Sequence, residues 1–250
     1  NNLRQTMVPN TAVNFNNKSN LGAVVYQAAD STNADSVSFI SGTSLNDKEA
    51  LYGFTLETNI TFPRFNPNYS DINRNFTDVS LFGLNLANAT TPNDTTWESP
   101  DPVNFQVFAV RPKENSKSAF FKLTSSVTPS PFPLLTSSLF FDVYDDSQWS
   151  FSVRLRPSIY PFREVVSGSD TYDYNLEFRG INAIGDTIQN SFALSASIGK
   201  VVGREFLNNH KRVYAGARRT NVTGAVQQQT DVLFNNVKYW TKYIENDDVN

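Results

Sequence analysis

The stretch from Gln148 to Pro157, QWSFSVRLRP, alternates without a break, and this most restricts what the chain can become. Trp149, Phe151, Val153 and Leu155 fall on one side of a period-two pattern, and Ser150, Ser152, Arg154 and Arg156 on the other. That is the signature of a strand with one buried face. About eleven such runs recur from Ser36 onward, with turn-forming residues between them. They are SVSFI, LYGFTLETNITF, VSLFGLNL, NFQVFAV, SAFFKLTSS, SSLFFDVY, WSFSVRLRP, YDYNLEFRGI, SFALSAS, KRVYAGA and DVLFNNVKYWTKYI. The pattern predicts an all-β chain built as a two-sheet antiparallel β-sandwich.

Helix signals are weak. GKVVGREFLNNH, Gly199 to His210, is the one modest stretch, and its two glycines predict no more than a turn or two. The polar loops ANATTPNDTTWESPDP (Ala87 to Pro102) and TPSPFPLLT (Thr128 to Thr136) divide no composition regimes, so one domain over 45–245 is expected. Residues 1–44 read as an N-terminal arm or edge strand around GAVVYQAA, and 246–250 as a polar tail.

Composition narrows the function. With 20 Phe and 10 Tyr the core has ample apolar bulk, and with no cysteine it stands on packing alone. A net charge of -3 offers no broad basic field, so nucleic acid is not an expected partner. No apolar run approaches the ~20 residues of a membrane-spanning helix, and membrane insertion is not expected. The N-x-S/T triplets at Asn59, Asn75, Asn88, Asn93 and Asn221 read as a consequence of an Asn- and Thr-rich composition.

Catalytic constellations are sparse. The single histidine, His210, lies in a turn-like LNNHKR, and there is neither a nucleophile elbow nor a phosphate-binding glycine loop. Asp173 and Glu177 would share a strand face at i, i+4, but Arg179 continues that face, which reads as a ladder of opposite charges. A non-enzyme is expected. For metal, Asp145 and Asp146, the loop Gly168 to Asp173 with Asp170 and Asp173, and DSTNAD with Asp30, Asn33 and Asp35 could offer oxygen ligands. They read first as solvated acidic turns; no cofactor is required, and calcium is allowed.

For binding, Arg154 and Arg156 project from one face, and Arg179 joins them if its strand is adjacent. An ordinary solvated sheet face is the first reading; otherwise a protein partner with carboxylates suits the arginines better than a neutral sugar. Trp149 should be buried. Trp97, in the long polar loop, is the best exposed platform for a sugar ring, and Trp240 faces away from Tyr239 and Tyr243.

The series SQWSFSVRLRPSIYPF, YDYNLEFRGINAIG, SFALSASIGK, KRVYAGARRTNVTG and DVLFNNVKYWTKYI resembles the second half of a laminin-G-like, concanavalin A-like jelly roll. The resembling features are a strand opening on Trp149, a strand ending in a tight turn at Gly180, a small-Gly-small closure at Gly216, and the Tyr/Trp pattern of Val232 to Tyr243. YGFTLETNITFP, Tyr52 to Pro63, is similar to an early core strand of such modules. GARRTN and VKYW most resemble modules in structural proteins of phages and other large viruses. The E-x-D-x-x-E strand of the family's glucanases is missing, since Glu57 is followed by Thr58 and Asn59. The resemblance implies a noncatalytic structural or decoration protein of a virus particle, with other structural protein subunits as partners. A glycan-binding adhesion module, extracellular or on a cell surface and calcium-assisted, is the alternative. A glycoside hydrolase comes third.

Overall fold

A computed structural model describes residues 53–64, 76–86, 105–125, 132–158, 173–208, 211–219, 225–240 and 243–246, together with the strand segments 13–14 and 24–26. Two six-stranded antiparallel sheets pack face to face. The first runs β1 (Val13–Asn14), β14 (Leu233–Trp240), β3 (Phe54–Phe62), β8 (Ser147–Pro157), β9 (Tyr174–Ile184) and β10 (Thr187–Ile198). The second runs β2 (Val24–Tyr26), β11 (Lys211–Ala215), β4 (Asp78–Leu86), β5 (Phe105–Val110), β6 (Phe120–Thr124) and β7 (Leu135–Thr136). A small hairpin joins β12 (Arg218–Arg219) to β13 (Val226–Gln228). The fold is the two-sheet antiparallel β-sandwich that the alternating runs predict, of the jelly-roll kind that the resemblance implies.

Alternation decides which side chains enter the core. On β8, Trp149, Phe151, Val153 and Leu155 are all buried, opposite Ile60, Thr58, Leu56 and Phe54 of β3. The rings interlock: Phe121 of the second sheet lies 4.7 Å from Trp149 and 4.8 Å from Phe151, while Phe178 meets Phe192 edge-on at 4.9 Å. Such tilted contacts between large rings add to the area term that drives burial. A second buried element is ionic. The Arg111 guanidinium meets Asp231 at 3.0 Å with both side chains essentially inaccessible, and it also donates to the Phe76 carbonyl. The Tyr144 hydroxyl donates to the other Asp231 oxygen, and its ring lies 4.9 Å from the guanidinium carbon. This knot ties the end of β5 to the turn before β8 and to the chain entering β14.

Three expectations change. SSLFFDVY is not a strand: Phe140 makes one bridge to Ala119, and the chain then turns through Asp142 and Asp146, both at positive φ (55° and 62°). Short carboxylate side chains tolerate that region, and the turn leaves Phe141 exposed. Gly180 is not a turn but a mid-strand residue of β9, where a Cβ would come within 2.3 Å of the Phe192 ring. The tight turn falls instead at Gly185, at φ 57°. Finally α1 (Lys200–Asn208), the one helix among the described residues, runs nine residues rather than a turn or two. Tertiary packing overrides its weak propensity. Phe206 is buried in the core, and Gly203 sits so close to Tyr174 that a Cβ would fall 2.2 Å from the ring. Among the described residues no helix is long and apolar enough to cross a membrane.

Candidate functional site

The residues that the core-facing alternation leaves over make a polar outer face on the first sheet. Register arranges them in rows across strands. One row reads Trp240, Thr55, Arg154, Glu177 from β14 to β9; the next reads Lys238, Glu57, Ser152, Arg179. Arg154, Arg156 and Arg179 are therefore brought together, because β9 pairs directly with β8.

The first row is closed rather than solvated. Arg154 is only 3% exposed and reaches Glu177 at 2.8 Å; Arg156 approaches the other Glu177 oxygen at 3.4 Å. The chain after β14 crosses this row. Arg154 donates to the Ile244 carbonyl at 2.9 Å and to Asn246 Oδ1 at 2.7 Å, and the Ile244 amide donates to Thr55 Oγ1 at 2.9 Å. The Tyr243 ring covers both guanidiniums, 4.9 Å from Arg154 and 4.6 Å from Arg156. Its hydroxyl donates to Glu177 Oε2 at 2.9 Å, and desolvation together with that carboxylate pushes the phenol up to about 12. The solvated face expected for Arg154 and Ser152 is thus corrected: both are buried, Arg154 because a segment some ninety positions away lies over it. The opposite charge expected beside Glu177 is present, supplied by Arg154 and Arg156 of β8.

The second row is built differently. Glu57 is 8% exposed and Ser152 2%, yet Glu57 Oε1, Ser152 Oγ and Arg179 Nη1 are all buried without a hydrogen-bond partner. Burial raises the Glu57 carboxyl above its usual range, against the opposing pull of a Trp240 hydrogen bond and the Lys238 and Arg154 charges. Lys238, with its side chain 43% exposed, stands 3.9 Å from Glu57 Oε2. Sequence reading passed over Glu57 as a binding residue because a lone acid on a strand carries no spacing signal.

The acidic turn residues are paired with cations. Asp145 meets Arg64 at 2.7 Å and Lys117 at 3.2 Å, and Asp146 accepts the Arg64 amide at 2.9 Å. Those partners hold the Asp145 carboxyl below its usual range. Asp173 accepts from Ser197 at 3.4 Å. Among the described residues no group of three potential metal ligands assembles. Trp97, Asp170, His210, SVSFI and the DSTNAD loop lie outside the described residues. Trp149 is buried and Trp240 is 40% exposed, while Tyr239 stacks on Phe54 at 5.7 Å.

No family model matches the chain, and no curated protein is similar to it in sequence. Among solved structures it is similar to an alginate lyase from Pseudomonas aeruginosa at 9% identity and TM-score 0.37, over 77% of this chain and 66% of that one. It is also similar to a CBM2 module of an evolved Dit protein of a Lactobacillus casei phage, at 9% identity and TM-score 0.36, over 77% and 63%. The alginate lyase of Aplysia kurodai follows at 9% and 0.36, over 87% and 81%. This chain spans less than two thirds of the length of the first two.

Proposed function

We propose that the chain is a noncatalytic structural protein of a large assembly, a virus particle in its fullest form, which docks on a neighbouring subunit through the edge of its first sheet. The observation that supports this is β10. Its twelve residues, TIQNSFALSASI, contain neither a charge nor a proline. It hydrogen-bonds to β9 alone among the described residues, and within them its outer edge presents a row of unused backbone donors and acceptors. Monomeric sandwiches normally blunt such edges with lysine, proline or bulges, since an open edge templates pairing with another strand. Here one irregularity, between Ile188 and Asn190, interrupts the ladder near the hairpin end, where Ile184 and Ile188 are 71% and 57% exposed. Phe192, Leu194 and Ala196 pack on the core from this edge but remain half-buried, and a second strand alongside would cover them. A strand without charge pays no repulsion against its own copy, so the neighbour is a second copy of this chain.

A noncatalytic reading also agrees with the acid pair of the sequence. Glu177 is held by two arginines and a tyrosine, and Asp173 accepts from Ser197. The test is to fractionate the native source by size and follow this chain by mass spectrometry, alongside sedimentation of the full chain and its Ser191→Lys variant. Travel at fixed ratio with very large particles, and self-association that the lysine abolishes, are expected. A free species in the source that sediments as a monomer at all concentrations would overturn the proposal.

A further inference from the structure

The row Lys238, Glu57, Ser152 and Arg179 has no part in edge docking, and it contains three buried polar atoms on three consecutive strands with nothing to bond to. Buried polar groups are overwhelmingly satisfied, so three neighbouring exceptions require a common explanation. Their chemistry is complementary in sequence: a carboxyl oxygen, a hydroxyl that can donate or accept, and a guanidinium N–H that can only donate. At ordinary strand spacing the row spans roughly 14 Å. The row itself carries two cations, Arg179 and Lys238, against one carboxylate, Glu57, a local positive excess in a chain whose net charge is -3. Glu177 is taken up by Arg154 and Arg156, so it does not neutralise that excess.

The geometry points to a saccharide-binding site on this row, with the sugar bearing a carboxylate. Arg179 and Lys238 take the carboxylate, Ser152 bridges, and a ring hydroxyl donates to Glu57. Lys238 is the gate to the buried groups: its side chain is partly exposed and its ammonium is held only at 3.9 Å, so it can swing off Glu57 to the ligand. Two features favour a sugar over an acidic peptide. Trp240, 40% exposed, lies on the same outer face two positions along β14 and offers a ring to stack against. Toward β10 the outer face flattens beside Arg179, because Ala193, Ser195 and Ser197 are all small and exposed, which leaves room for a chain of rings to lie across the strands.

The experiment is calorimetric titration of the full chain with an oligogalacturonate and with its methyl ester, which keeps the sugar and removes the charge. Binding of the acid, at least tenfold weaker binding of the ester, and at least tenfold weaker binding of the acid by a folded Arg179→Gln variant are expected. If Arg179→Gln does not fold, Ser152→Ala and Lys238→Gln serve in its place with the same expected losses. Failure to bind the acid, equal binding of acid and ester, or undiminished binding by the folded variants overturns the site, and the unpartnered atoms are then occupied by water alone. Ser191→Lys tests the edge without touching the row, so each proposal can fail separately.

Discussion

Arg154 and Glu177 stand directly opposite each other on β8 and β9, 2.8 Å apart, beneath the ring of Tyr243. Removing one member of a largely desolvated pair strands the other charge, which is more costly than never having built the pair. Glu177→Ala should therefore lower stability by roughly 2–3 kcal/mol, below the usual cost of a fully buried pair because Arg154 keeps its bonds to Ile244 and Asn246. Urea denaturation gives the value. A loss under about 0.5 kcal/mol, as for an exposed pair, would mean the face is solvated after all.

The Arg111 and Asp231 pair allows a sharper comparison. Asp231→Ala should cost roughly 3–5 kcal/mol by leaving a buried guanidinium without its counter-ion. Replacing both by apolar residues, Arg111→Met with Asp231→Leu, should recover much of that loss. A double-mutant cycle on denaturation midpoints decides it, and additive losses would count against a mutually dependent pair.

Tyr243 predicts an alkaline instability. Its phenol is raised from 10.0 to about 12, so the folded state holds that proton more tightly than the unfolded chain. The stabilisation is then complete below pH 10 and disappears as pH rises toward 12. Tyr214 is buried and also raised, so it contributes to the same loss and remains in the comparison. Against wild type, Tyr243→Phe should show a shallower fall in stability over that interval, measured by thermal melts at stepped pH. Parallel curves would show that Tyr243 does not titrate as described.

Gly203→Ala sets propensity against packing. In a free helix alanine gains about 1 kcal/mol over glycine. Here the new Cβ would lie 2.2 Å from Tyr174, whose ring is fully buried and cannot retreat. Overpacking should dominate, with a net loss of roughly 1–3 kcal/mol. A stabilised variant would show that α1 can shift away from β9.

Much of this molecule was legible before any coordinates, because alternation is a local property. Whether Trp149, Phe151, Val153 and Leu155 share a face depends only on residues two apart, so the core side of β8 and the all-β class follow from the string itself. The same reasoning placed Arg154, Arg156 and Arg179 on outward faces and noted that Glu177 would meet opposite charge. What the string could not say is what lies over those faces. Arg154 is buried because Ile244, ninety positions along, returns across the sheet, and a two-residue period carries no information about that return. Gly180 and Gly203 show the same divide. Each is a glycine because an aromatic ring from another element occupies the space of its Cβ, and that ring is brought there by packing. The row from Lys238 to Arg179 exists only through register among four strands distant in sequence. Side-chain direction was set by the sequence, whereas burial, pairing and the unsatisfied groups were set by which distant strands came to lie side by side.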